Sequence, residues 1–111
     1  MSKDDIRFQL MKIVEAEPEL SQRQLAERLG VSVGKTHYTL KALVEKGWVK
    51  VHNFQRSANK SAYFYQLTPK GITEKARLTR RFLARKRAEY EAIREEIKRL
   101  EAEVERLPDE N

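Results

Sequence analysis

Residues 21–48 read SQRQLAERLGVSVGKTHYTLKALVEKGW, and this stretch decides the fold. Ser21 followed three positions later by Gln24 has the form of a capping box, in which the hydroxyl accepts from the Gln24 amide while the glutamine reaches back, so a helix starts at Ser21. Leu25, Ala26 and Leu29 then recur at helical spacing. Gly30 supplies the left-handed residue on which a helix ends without a Cβ clash. Val31 fills the turn and Ser32 caps a second helix. Leu40, Leu43 and Val44 give that helix one apolar stripe, and Gly47 ends it. Two short helices joined through a glycine turn are a helix-turn-helix.

Downstream, the apolar period changes from helical to alternating. Trp48 to Val51 and Ala62 to Leu67 are predicted as two strands, with a polar loop from Asn53 to Lys60 between them that holds Arg56, Ser57, Asn59 and Lys60. Phe54 is expected to pack in the hairpin, sheltered by Tyr63 and Tyr65. A hairpin placed directly after a helix-turn-helix is a wing. The fold class expected is therefore mainly α (α+β).

The ends of the chain complete that unit. Residues 4–16 carry Ile6, Leu10, Ile13 and Val14, with Phe8 and Met11 widening the stripe, and describe an amphipathic helix stopped by Pro18. Thr68 caps a last helix with Pro69 in its first position, where a missing amide costs nothing. No further breaker appears before Pro108. A helix over 69–107 would be roughly 57 Å long at about 1.5 Å per residue, more than a domain of this size can cover. Its second half carries Leu83, Tyr90, Ile97 and Val104 at intervals of seven, with Ile93, Leu100 and Leu107 three residues after the last three of them. That is a heptad seam, with Lys86 its one polar intrusion. Self-association covers such a stripe most economically; the alternative is a stripe folded back on the chain's own body. In a parallel pair Glu89 meets Arg94 of the partner favourably and Glu96 meets Glu101 unfavourably, whereas an antiparallel pair sets Glu89, Glu96 and Glu103 against one another, so parallel is narrowly preferred. The organisation expected is a DNA-binding unit over 1–75, a long helix over 69–107 that dimerises from about residue 83, and a tail over 108–111.

Composition narrows the function. The chain has 111 residues, a formal net charge of +6 and 36% charged residues, and nothing near a membrane-spanning apolar run or the apolar centre of a signal peptide, which predicts a soluble, cytoplasmic, nucleoid-associated protein. Zero cysteines exclude disulfides, thiolate metal sites and cysteine nucleophiles. His37 and His52 stand alone, without carboxylates at ligand spacing, and no nucleophile–base motif or phosphate-cradling glycine loop is present, so neither a metal, a cofactor nor an enzyme activity is expected.

The charge is unevenly placed. Residues 28–60 hold seven Lys or Arg against one acid, and residues 88–111 hold four against nine. The first block is the second helix plus the wing, where cations would displace counterions from duplex DNA. A second basic run, Lys75, Arg77, Arg80, Arg81, Arg85, Lys86 and Arg87, wraps all sides of a helix, and solvation and pairing with acids of the first helix or of a partner are favoured over phosphate contact.

These residues also carry a resemblance. Ser21 to Leu29, Gly30, Val31, Ser32, the helix ending LKALVEKGWV at Leu40 to Val49 and the hairpin closing on Leu67, Thr68, Pro69, Lys70 and Gly71 resemble winged-helix repressors of the MarR type. The short length, the Gly34–Lys35 pair before Tyr38, the Asn59–Lys60 wing and the run Glu74 to Thr79 resemble the small MarR-type regulators associated with exopolysaccharide gene clusters. The resemblance covers nearly the whole chain and implies a bacterial transcription regulator that binds DNA as a homodimer. Thr36 departs from the pattern, standing where the family places an inward apolar β-branched residue. Its hydroxyl must bond locally, with the Ser32 carbonyl one turn back as the candidate acceptor.

The candidate site follows from the helix period. With Thr36, Leu40 and Leu43 inward, Val33, Gly34, His37, Tyr38 and Lys41 face outward, with Ser32 and Lys35 at the helix start. Ser32 and the free amides around Val33 and Gly34 suit a phosphate, Val33 a thymine methyl, His37 and Tyr38 base edges or phosphates, and Lys41 a phosphate. Arg56, Ser57, Asn59 and Lys60 would follow the backbone from the wing. The partners expected are double-stranded DNA, read as an inverted repeat, and a second copy of the chain or a related one. The competing function is a winged helix that docks on polymerase or another factor; acids on the recognition helix would favour it, and basic residues stand there instead.

Overall fold

The computed structural model describes residues 2–57 and 60–109, and over 54–57 and 60–62 the backbone alone. The elements run α1 (Lys3–Ala16), α2 (Gln22–Leu29), α3 (Val33–Glu45), β1 (Val49–Ser57), β2 (Lys60–Leu67) and α4 (Pro69–Glu105). They fall into two compact units, Met1–Thr79 and Arg80–Asn111.

Local chemistry sets the helix boundaries of the first unit. The start of α1 is a capping box beyond the one expected at Ser21: Asp5 N donates to Ser2 Oγ at 3.1 Å and Ser2 N to Asp5 Oδ2 at 3.3 Å. The box expected at α2 is present, with Gln24 N donating to Ser21 Oγ at 3.2 Å and Ser21 N to Gln24 Oε1 at 2.9 Å. Gly30 has φ +72°, as the stop requires. At α3, Lys35 N donates to the Ser32 hydroxyl at 3.0 Å. That helix ends in a Schellman motif, in which Trp48 N donates to Leu43 O and Gly47 N to Val44 O, both at 3.0 Å.

Ile6, Phe8, Leu10, Met11 and Val14 of α1 pack with Leu25, Ala26 and Leu29 of α2 and with Thr36, Leu40 and Leu43 of α3 to form the core. Thr36 is fully buried, and its hydroxyl donates to the Ser32 carbonyl at 3.0 Å, the acceptor expected from the sequence. Val44 is a correction. The helix period expects it in the inward stripe, but it is 37% exposed, because that edge of α3 turns toward the open side beside the hairpin.

The hairpin is also longer than the apolar alternation suggested. Its ladder pairs Val49 with Leu67 and continues through Phe54 with Ala62 to Ser57 with Lys60, with one irregularity between Gln55 and Ser57. Most of what was expected as a loop over 53–60 is therefore paired backbone, and Trp48 precedes the strand. Alternation marks only the part that meets the core, where Val49, Tyr65 and Leu67 are buried. Farther out the two strands satisfy each other's amides and carbonyls whatever side chains they bear. The packing expected of Phe54 concerns a side chain outside the described set.

Three ties bind the hairpin to the helices. Tyr65 N donates to the Pro18 carbonyl at 3.0 Å, and Thr68 N to the Trp48 carbonyl at 3.0 Å. The Thr68 hydroxyl accepts from Gly71 N at 3.0 Å, as the expected cap of α4, and itself donates to the Gly47 carbonyl. On the surface, Arg28 grips Glu17 with Nε to Oε2 at 3.1 Å and Nη2 to Oε1 at 2.9 Å. That hydrogen-bonded contact, reinforced by charge attraction, holds the Glu17 carboxyl below its usual range and Arg28 above its own.

In the second unit α4 presents the heptad seam. Exposure runs from 47% at Ile97 to 64% at Val104, with Leu83, Tyr90, Ile93, Leu100 and Leu107 between. The helix closes at Glu105 rather than 107, through a tighter turn in which Leu107 N donates to Val104 O at 3.1 Å, so Leu107 stands just past the helical residues. Lys86, the polar member of the seam, lies 5.2 Å from the Phe82 ring and 3.2 Å from Glu89 Oε2.

Candidate nucleic-acid interface

The outer face of α3 is built by the residues that hold its inner face. With Thr36, Leu40 and Leu43 buried, the helix period leaves Ser32, Val33, Gly34, Lys35, His37, Tyr38 and Lys41 exposed, Tyr38 at 66%. A Cβ built on Gly34 would find only Ser32 Oγ, at 4.0 Å, so nothing in this chain requires glycine there. The first-turn amides of α3 have no acceptor within the helix beyond the Ser32 cap. His37 is anchored from one side, its Nδ1 lying 3.0 Å from Gln22 Oε1 at the start of α2.

Two hollows flank the helix. One, of about 500 Å³, lies between α3 and the hairpin and is lined by His37, Lys41, Val44, Val51 and Tyr63 among others. The other, of about 220 Å³, lies between α1 and α3, where Lys3 and Arg7 come beside Lys35 and Tyr38. Lys3, Arg7, Gln22, Val51 and Tyr63 are not among the site residues that the sequence indicates, Tyr63 being expected there only as shelter for Phe54. No spacing signal within α3 could have found them, because they reach its face from four other elements, Lys3 and Arg7 from α1, Gln22 from α2, Val51 from β1 and Tyr63 from β2.

On the wing, the backbones of Arg56, Ser57 and Lys60 lie on the paired strands. Their side chains and all of Asn59 fall outside the described residues. His52 faces the hairpin, with Nε2 3.1 Å from Gln66 Oε1 and its ring 5.6 Å from that of Phe64, apart from His37 on α3. Within the second basic run, Lys75 pairs with Glu15 of α1 at 2.6 Å and Arg77 with Glu74 at 2.6 Å. Pairing with the first helix, the use favoured for that run, is thus realised at Lys75.

Residues 3–50 match the family model for winged helix-turn-helix DNA-binding. The fold is a winged helix-turn-helix. No curated protein matches the chain. Among solved structures, the PcaV transcriptional regulator of Streptomyces coelicolor is similar with a TM-score of 0.63 and 21% identity, over 92% of this chain and 79% of that one. Streptococcus pneumoniae FabT, solved in complex with DNA, has a TM-score of 0.55 at 20% identity over 92% and 76% of the two chains. A mutant of E. coli MarR, complexed with operator DNA, has a TM-score of 0.55 at 20% identity over 67% and 51%. At these identities the shared property is the winged helix-turn-helix fold.

Proposed function

We propose that this protein is a sequence-specific, double-stranded-DNA-binding transcription regulator that acts as a homodimer on an inverted-repeat operator. The N-terminal end of the recognition helix, residues 32–46, enters the major groove, and the wing, residues 53–61, follows the phosphate backbone. One observation carries this: α3 spends Thr36, Leu40 and Leu43 on the core and leaves Val33, His37, Tyr38 and Lys41 exposed on one face, where the core takes none of them. The same fold is bound to DNA in FabT and to operator DNA in MarR. Homodimerisation is supported by the exposed heptad seam from Leu83 to Leu107, which no lone helix keeps wet at low cost. Two copies related by a two-fold axis then present two recognition helices to two half-sites.

The resemblance of the Gly34–Lys35 pair, the wing and residues 74–79 to exopolysaccharide-associated regulators supports targets among polysaccharide biosynthesis genes, and a transcription regulator works in the cytoplasm. None of the described helices is long and apolar enough to cross a membrane. The test is selection of bound duplexes from a randomised pool by the full chain, followed by titration of the enriched sequence against a scrambled one. An enriched inverted repeat bound at two protomers per duplex is expected. Equal affinity for enriched and scrambled duplexes would remove sequence-specific regulation.

A further inference from the structure

The contact between Gln22 and His37 has a chemical consequence for readout. Gln22 is the first residue of α2, half-buried beside α3, and its Oε1 lies 3.0 Å from His37 Nδ1. A carbonyl oxygen only accepts, so this orientation of the Gln22 amide calls for the proton on Nδ1. Neutral imidazole has one N–H, and Nε2 is therefore bare. His37 is exposed, and its Nε2 has no partner among the described residues. It sits on the outward face of α3 with Lys41 one turn further on.

We infer that Gln22 fixes the tautomer of His37 and so makes Nε2 an acceptor that reads an exocyclic amine, N6 of adenine or N4 of cytosine, in the major groove. The inference rests on the proposed placement of α3 in that groove. The major-groove edge offers donors only at those two amines, while G O6 and N7, A N7 and T O4 are acceptors. An imidazole with its proton on Nε2 would select the opposite set. Gln22 is thus a positioning residue: it sets the polarity of a base contact made by its neighbour across the helix-turn-helix.

The tautomer is measurable without DNA. Long-range proton–nitrogen correlation spectra of the full chain at about pH 8, above the ordinary histidine range of about 6.5, report which ring nitrogen is protonated. His37 is assigned by its loss in His37→Asn, with His52 as the internal reference. The expected result is protonation at Nδ1 in the native protein, retained in Gln22→Glu, whose carboxylate can only accept, and lost to a mixture in Gln22→Leu. Protonation at Nε2 in the native protein overturns the inference.

The readout is tested on the selected duplex by deleting single exocyclic amines, with purine in place of adenine or 2-pyrimidinone in place of cytosine. One such deletion should weaken native binding about fivefold, a single base contact at the low end of the usual range. The same deletion should matter less than twofold in Gln22→Leu and in His37→Ala. Normal native binding that is indifferent to amine deletion at every position overturns the readout alone. Failure of the native chain to bind any duplex overturns the placement of α3 and the readout with it, while the spectra still report the tautomer.

Discussion

The α-carbon of Gly71 lies against the backbone of Trp48: a Cβ built on Gly71 would stand 2.0 Å from the Trp48 carbonyl oxygen and 2.9 Å from its carbonyl carbon. The same oxygen accepts from Thr68 N at 3.0 Å, and the Thr68 hydroxyl donates to the Gly47 carbonyl. The turn that closes α3 and the first turn of α4 are thereby clamped backbone to backbone, a closeness that only glycine allows.

Gly71→Ala should therefore destabilise the protein although alanine is the better helix former by about 1 kcal/mol. Relief of the overlap needs movement of main chain on both sides, at about 1–3 kcal/mol for an overpacked site. A melting temperature several degrees below the parent is the expected result. A Tm equal to the parent's would mean that α4 can retreat freely from Trp48.

Gly34→Ala should behave in the opposite way. Its Cβ has open space, and alanine in an exposed helix is worth up to about 1 kcal/mol, so the variant should melt at or above the native temperature. Its affinity for the selected duplex should nonetheless fall, because the added methyl stands where the backbone of α3 would approach the groove. Fluorescence anisotropy with labelled duplex measures the affinity. Undiminished binding would move the base-reading face away from Gly34.

Arg56→Ala and Lys60→Ala should each weaken binding to specific and random duplexes alike. If each residue meets one phosphate, each change lowers the log–log salt slope by about 0.9. Titrations across a salt series check this, and an unchanged slope in the double variant would remove the wing from the interface.

The paired change Ile97→Glu, Leu100→Glu should dissociate the proposed dimer, since both positions lie in the seam and would bury unpaired charges in any coil. The winged helix-turn-helix should keep its far-ultraviolet circular dichroism, because its core of Leu10, Met11, Leu25 and Leu43 lies wholly in the first unit. Affinity for the full operator should drop steeply as one half-site is lost. Analytical ultracentrifugation decides: a dimer that survives the change would place the interface elsewhere.

The Glu17–Arg28 pair predicts a pH dependence with a definite sign. The carboxyl is held below its usual range by the guanidinium hydrogen-bonded to it. Its contribution is present above the ordinary glutamate value of about 4.3 and is lost as pH falls through the lowered value. Glu17→Gln should thus melt below the native protein at pH 7 by a small margin, since the pair is exposed, and the difference should vanish in acid. A difference that grows on acidification would contradict the assignment.

What the sequence determined by itself are the features whose causes span four residues or fewer. The Ser21–Gln24 box, the Ser32 and Thr68 caps and the Thr36 hydroxyl bond to Ser32 each join a side chain to a backbone group at fixed local spacing, and the Gly30 stop is a single left-handed residue. The exposed face of α3 was legible for the same reason, because the helix period sets it once Leu40 and Leu43 are known to be inside. Tertiary structure alone decided the rest. The ladder continues past the apolar alternation because backbone pairs with backbone, and Val44 is exposed because the hairpin docks beside that edge of α3 rather than over it. Gln22 reaches His37 across 15 positions, Gly71 abuts Trp48 across 23, and Lys3 and Arg7 come beside Lys35 from another helix. Such contacts depend on how closely whole elements approach, a distance set by the packing of the core between them and not by the residues that happen to meet.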